Sequence, residues 1–277
     1  MTLNVRNWRL LCLVSVTVLF LATTLVAAER RGRPTKIGQY DPTAETVEMF
    51  AAIEKGDIAV KLIPKDSTQS QVLIENKTDR PLNVKLPEAF AGVPVLAQGG
   101  FGGQGAGGGG SGHSHNNSNN NSGNQGMGGG MGGMGGMGGG MGGFNVPPEK
   151  VGKFKVPTVC LDHGKAEPRA AIPYTIKPIE SYTSKPGVRE LCEMLGTGKL
   201  SQRAAQVAAW HLNNDMSWQE LANKQIRHLN GASKPYFSPA EIQAGMQVAS
   251  TAVRVAKEQE KSAPSTTAPS SLKSSNN

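Results

Sequence analysis

Residues 126–143 read GMGGGMGGMGGMGGGMGG and close a longer tract, 99–143, that holds 24 of the chain's 35 glycines and five of its ten methionines. How this tract is read decides the fold. It has almost no branched or aromatic side chain, and an Asn/Ser stretch runs from Asn116 to Asn124. A segment of that composition has little apolar surface to bury against the entropy of ordering it. The composition therefore predicts a disordered Gly/Met/Asn-rich insertion over 99–143, dispensable for folding because closing a long loop costs little.

On both sides of the tract the grammar is that of strands. Period-two alternation runs through Ile58, Val60 and Leu62, through Val72 and Ile74, and through Leu82, Val84 and Leu86, with turn chemistry between Asn76 and Pro81. It resumes in Phe154, Val156, Thr158 and Cys160, then in Tyr174 and Ile176. Two separate small sheets would have too little core to stand alone. The alternation thus predicts one antiparallel β-sandwich in two parts, 45–98 and 144–183, interrupted by the tract. A short helix over Glu45–Glu54 is expected beside it, with Val47, Phe50 and Ala51 on one side.

From 184 to 257 the period becomes helical. Val188, Leu191, Cys192 and Leu195 form one stripe, and Ser201 opens an alanine-rich helix to about Asn213. Ser217 and Glu220 form a capping box ahead of Trp218, Leu221, Ala222 and Leu229. Ser238, Pro239 and Glu241 open a last helix with the stripe Ile242, Met246, Ala249, Val253 and Ala256. The class is α+β, a sandwich followed by a helical layer of three to four helices. A polar tail over 258–277 is expected to be disordered.

The amino terminus points to export. Arg6 and Arg9 precede an apolar run from Leu10 to Ala28 that ends in small residues, so 1–28 reads as a signal peptide cleaved after Ala28, with an uncleaved membrane anchor as the alternative. Residues 29–44 then form an exposed segment. Loss of Arg6 and Arg9 lowers the formal charge from +8 to +6. The remaining Lys and Arg are scattered, which argues against nucleic acid and leaves attraction to an acidic envelope or polysaccharide. The expected place is the periplasm or cell surface, with no stable membrane span once the signal is removed.

Candidate chemistry is sparse. Met127, Met131, Met134, Met137 and Met141, with His113 and His115, are soft ligands that suit copper outside the cytoplasm, against the plainer reading of a flexible loop. Cys160, His163, Cys192 and His211 have the donors of a zinc site but not its usual spacing. No catalytic triad, nucleotide-binding glycine pattern or paired-carboxylate motif stands out, and no cofactor is expected.

The motifs Val159-Cys160-Leu161-Asp162-His163-Gly164-Lys165, Pro173-Tyr174 and Gln206-Val207-Ala208-Ala209-Trp210 together resemble exported bacterial proteins of unknown function. More distantly, the cysteine strand and the Gln-x-Ala-x-Trp element are similar to thioester domains of surface adhesins. That resemblance implies an internal thioester between Cys160 and Gln206 that captures an amine on a neighbouring surface. The residues themselves favour a Cys160–Cys192 disulfide or two buried thiols, since both lie on predicted buried faces, and the oxidising compartment points to the disulfide first. The reading is an exported, noncatalytic binding or structural module that contacts an envelope or surface component, with the covalent adhesin and the periplasmic copper binder as alternatives.

Overall fold

The computed structural model describes residues 36–95, 123–133, 143–227 and 231–262. Eleven strands and five α-helices make up the described part. In chain order they are β1 (Glu45–Glu48), α1 (Met49–Lys55), β2 (Ile58–Pro64), β3 (Gln69–Asn76), β4 (Leu82–Lys85), β5 (Phe90–Pro94), β6 (Met127–Gly129), β7 (Phe144–Val146), β8 (Val151–Cys160) and β9 (Tyr174–Lys177). The helical layer follows as α2 (Val188–Gly196), α3 (Gln202–Asn214), α4 (Trp218–Asn223), the hairpin β10 (Gln225–Arg227) and β11 (Ser233–Pro235), and α5 (Pro239–Ser262).

The α+β class stands, but the sheet is a closed barrel rather than a sandwich. Its strands are ordered β2-β3-β8-β6-β5-β9, every pairing antiparallel, and Leu62 opposite Tyr174 closes the ring. A second sheet, β1-β4-β7, has β1 parallel and β7 antiparallel to β4. The strands read from alternation are present. Ile58, Leu62, Val72, Ile74, Leu82, Val84, Phe154, Val156, Tyr174 and Ile176 are all buried in one cluster with Met49 and Ala52 of α1.

The barrel closes because part of the glycine tract is a strand. Met127, Gly128 and Gly129 pair on one side with Cys160, Val159 and Thr158 and on the other with Gly92, Ala91 and Phe90. For 123–133, the expectation of a disordered insertion is therefore overturned; the rest of 99–143, apart from Gly143, lies outside the described residues. The reason is spatial. A Cβ on Gly128 would stand 2.7 Å from the Cys192 sulfur, and one on Gly130 would meet the Cys192 and Glu88 carbonyls and the Gly196 backbone. The tract contributes missing side chains where a barrel strand passes against α2, and two of its methionines fill the core: Met127 and Met131 are fully buried.

Other expectations shift locally. Residues 45–48 extend as β1, so the helix is shorter than predicted; it buries Met49 and Ala52, Val47 and Phe50 pack half-buried against the same core as expected, and Ala51 is exposed. In the segment read as exposed, Asp41 is buried and its N–H donates to Asn83 Oδ1 at 3.1 Å. The last helix continues to Ser262, beyond the predicted start of the tail, and Gly245 and Ala252 join its buried stripe while Met246 faces out. Small residues explain how closely α5 packs on α3: Gly245 abuts Val207, and Ala204, Ala205, Ala208 and Ala209 are all buried. Both predicted caps are present, Ser217 with Glu220 and Ser238 with Glu241. No helix among the described residues is long and apolar enough to cross a membrane. Residues 1–28 and 263–277 lie outside the described residues.

Candidate functional site

The end of β8 and the middle of α3 meet at one contact. β3 pairs with β8 only as far as Pro157, so the main chain of Cys160 has no strand neighbour on that side. Gln206 supplies the missing peptide. Its Nε2 donates to the Cys160 carbonyl at 2.9 Å, and its Oε1 accepts from the Cys160 N–H at 2.8 Å. Both residues are buried, and α3 adds Gln202 Nε2 donating to the Thr158 carbonyl at 3.0 Å. The two residues joined by the adhesin resemblance are thus neighbours, although the carboxamide holds the backbone of Cys160 rather than its sulfur.

The sulfur itself is shielded. Cys160 is 1% exposed, and burial, aided by Glu167, Asp162 and Asp66, pushes its thiol well above the usual range. Cys192 is also a free, buried thiol, pushed up to about 12 by burial and by Glu193 and Glu190. The expected disulfide is absent from this structure. Cys160 packs with Val207, Trp210, Leu221, Phe237 and Ile242, whereas Cys192 packs with Leu191, Leu195 and the α3 alanines in a different cluster.

The other candidate ligands are dispersed. Met127 and Met131 face the core, where Met127 Sδ accepts from Ser70 Oγ at 3.8 Å, so neither is offered to a metal from a loop. Met134, Met137, Met141, His113 and His115 lie outside the described residues. His211 places Nδ1 2.7 Å from the Met216 carbonyl and stacks on Trp218, while His163 contacts Lys224. Among the described residues, no group of three or more His, Cys, Asp or Glu side chains is arranged to hold a metal, so the Cys160, His163, Cys192 and His211 set is not assembled.

Above Cys160 lies a polar and aromatic surface to which the motif residues Asp162, His163 and Trp210 contribute, together with Lys224 and Tyr236, which the sequence did not single out. The β8–β9 loop carries Asp162, which accepts from Gly126 N–H at 2.8 Å, Tyr182 O–H at 2.5 Å and Lys165 at 3.0 Å. Burial raises the Asp162 carboxyl, but these hydrogen bonds prevail and hold it below its ordinary range. Next along the loop, His163 is anchored by its N–H to Asn214 Oδ1 at 3.0 Å and meets the Trp210 ring edge-on at 4.9 Å. Lys224, just after α4, places Nζ 2.8 Å from His163 Nε2 and over the rings of Trp210 and Tyr236. Nothing in the spacing of Lys224 from His163, 61 residues apart, foretells this contact.

On the opposite side of α4, a groove of about 670 Å³ runs between α3, α4 and α5. The stacked rings of His211 and Trp218, with centroids 3.8 Å apart, stand on one side. Met246, Arg254, Lys257 and Lys261 of α5 stand on the other. The spacing of these basic residues puts them on successive turns of one helix face.

Compared with known proteins, the chain matches no protein-family model, and neither a curated protein nor a solved structure shows significant similarity to it.

Proposed function

We propose that this chain is an exported, noncatalytic binding module of the cell envelope, and that the groove between α3, α4 and α5 takes an acidic polysaccharide. The observation that carries the reading is the pairing of an aromatic platform, His211 on Trp218, with Lys257 and Lys261 across a single groove. Sugar rings stack on aromatic faces, and cations at the rim attract and orient carboxylated or sulfated chains. Glu258 also borders the groove, and Arg254 is paired with it at 2.8 Å, which leaves the two lysines as the charge offered to a ligand. The leader-like residues 1–28 support the compartment.

The test is binding of the purified mature chain to polygalacturonate, with neutral dextran as the comparison. The expected result is binding to the acidic polymer alone, weakened by salt and lost in Trp218→Ala and in Lys257→Glu/Lys261→Glu. Equal binding to both polymers, or no effect of either variant, overturns it. Hydrolysis of the polymer, abolished by a point substitution, would overturn the noncatalytic reading.

The Cys160–Gln206 contact favours a second reading, covalent attachment. Attack of the Cys160 sulfur on the Gln206 carboxamide carbon would form a thioester and release ammonia; a surface amine would then displace the thiol and form an amide. Such an electrophile survives in water only when shielded, and the burial of both residues is the shielding it needs. Intact mass of the mature protein tests this. Loss of one ammonia and a methylamine adduct, both abolished by Gln206→Ala, would support it; two intact thiols and no adduct would refute it.

A further inference from the structure

We infer that Lys224 is a carbonyl-capturing amine, set in a surface pocket that receives a small hydroxylated aldehyde such as an open-chain sugar. The inference does not rest on the polysaccharide groove, which lies on the other side of α4. Lys77, Lys165 and Lys185 each meet a carboxylate, whereas the polar partner of Lys224 is the imidazole of His163. Its nitrogen lies 5.2 Å from the centre of the Trp210 ring and 5.3 Å from that of Tyr236. The ring faces attract the ammonium, whereas its partial burial works the other way, toward the free amine that is the nucleophile.

The surrounding groups agree. Burial lowers Lys224, opposed by the attraction of Glu167; burial and then Lys224 lower His163, opposed by Glu220. A neutral His163 accepts from Lys224 without adding a second positive charge. Arg203 also stands over Tyr236, 4.9 Å from that ring centre. One further observation points to a ligand. Lys224 and His163 line an open pocket of about 570 Å³, whose rim carries the amides of Gln219 and Asn223.

The chemistry balances without a cofactor. The deprotonated Lys224 nitrogen adds to the aldehyde carbon, the carbonyl oxygen takes up a proton, and loss of water leaves a carbon–nitrogen double bond to Nζ. Hydroxyls on the aldehyde would meet the Gln219 and Asn223 amides of the pocket rim.

The full mature chain is incubated with glyceraldehyde and sodium cyanoborohydride, which reduces the imine to a stable secondary amine, and modified lysines are mapped by peptide mass. At neutral pH, Lys224 is expected to be labelled several-fold faster than the exposed Lys61, Lys85 and Lys153, and its labelling should persist to lower pH than theirs. Normalised to those lysines, glyceraldehyde should prefer Lys224 more strongly than propanal does. Labelling of Lys224 at or below the rate of the exposed lysines overturns the proposal, and equal preference for the two aldehydes overturns hydroxyl recognition. Because all rates are read within one folded protein, the result does not depend on a variant surviving; Lys224→Arg serves to confirm the mapped peptide.

Discussion

Gly130→Ala and Gly132→Ala, two residues apart in a monotonous tract, should have opposite effects. At Gly130 the new methyl would face backbone on every side: the Cys192 carbonyl, the Glu88 carbonyl at 2.5 Å and the Gly196 Cα at 3.0 Å. None of these is a flexible side-chain end, so the strand and α2 must move apart. Forcing a methyl into a packed site costs about 1–3 kcal/mol, and the absence of any yielding neighbour places Gly130→Ala at the upper end. At Gly132 nothing lies within 4 Å of the new atom, and the residue is exposed and outside the left-handed region. There alanine only restricts the unfolded chain, which stabilises by about 0.4–1 kcal/mol. The two variants should differ by about 2–4 kcal/mol. With a urea dependence of about 1–3 kcal/mol per molar, their unfolding midpoints separate by on the order of 1 M. Equal midpoints for the two variants and the parent would refute the placement of β6, since they are what an unstructured tract would give.

Further outcomes follow from the site. Gln206→Ala strips partners from the buried N–H and C=O of Cys160, at about 1–3 kcal/mol for each group; thermal unfolding that matches the parent would show that the clip contributes nothing. His163 has a folded pKa below its unfolded value of about 6.5, so the unfolded chain binds the extra proton first: the stabilisation is complete above that pH and is lost as pH falls through the lowered value. The melting temperature should therefore drop on acidification more in the parent than in His163→Gln, and parallel curves would contradict this. Both thiols are buried and shifted up, so iodoacetamide should leave the native protein unmodified and label Cys160 and Cys192 after denaturation without reductant. Failure to label the denatured chain would restore the disulfide.

Sequence reading succeeded where side chains carry a period and failed where they do not. The alternation of Phe154, Val156, Thr158 and Cys160 and the stripe of Val188, Leu191, Cys192 and Leu195 each report a buried face directly. The capping residues Ser217, Glu220, Ser238 and Glu241 act locally, so spacing alone identifies them. β6 shows the limit: a glycine strand has no alternation to read, and what qualifies it is the space left by Phe90, Cys192 and Gly196 far away in the chain. Taking the tract as unstructured removed the strand between β5 and β8, and a ring without that member reads as an open sandwich. At the site, the joining of Cys160 and Gln206 was visible through the motif resemblance. The Lys224–His163 contact was not, because it depends on α4 and the hairpin folding back over the end of β8.

The peptide that closes the barrel is present twice. Residues 126–133 and 136–143 are the same octapeptide, GMGGGMGG, so no difference in side-chain chemistry lets the seat between β5 and β8 choose the first copy. Connectivity makes the choice. Gly133, the last residue of the first copy, abuts the Gly196 carbonyl at 2.5 Å, whereas Gly143, the last of the second, abuts the Val84 main chain at 2.7 Å and runs directly into β7. Were the second copy to take the seat, Gly143 would have to stand at Gly196 and Val84 together, and Phe144–Val146 would be drawn off β4. Nine residues separate Gly133 from Gly143 in the sequence. Contraction of the tract by one ten-residue unit would preserve the octapeptide to the letter while joining Gly133 directly to Phe144, so it separates the count of residues in this repeat from their identity.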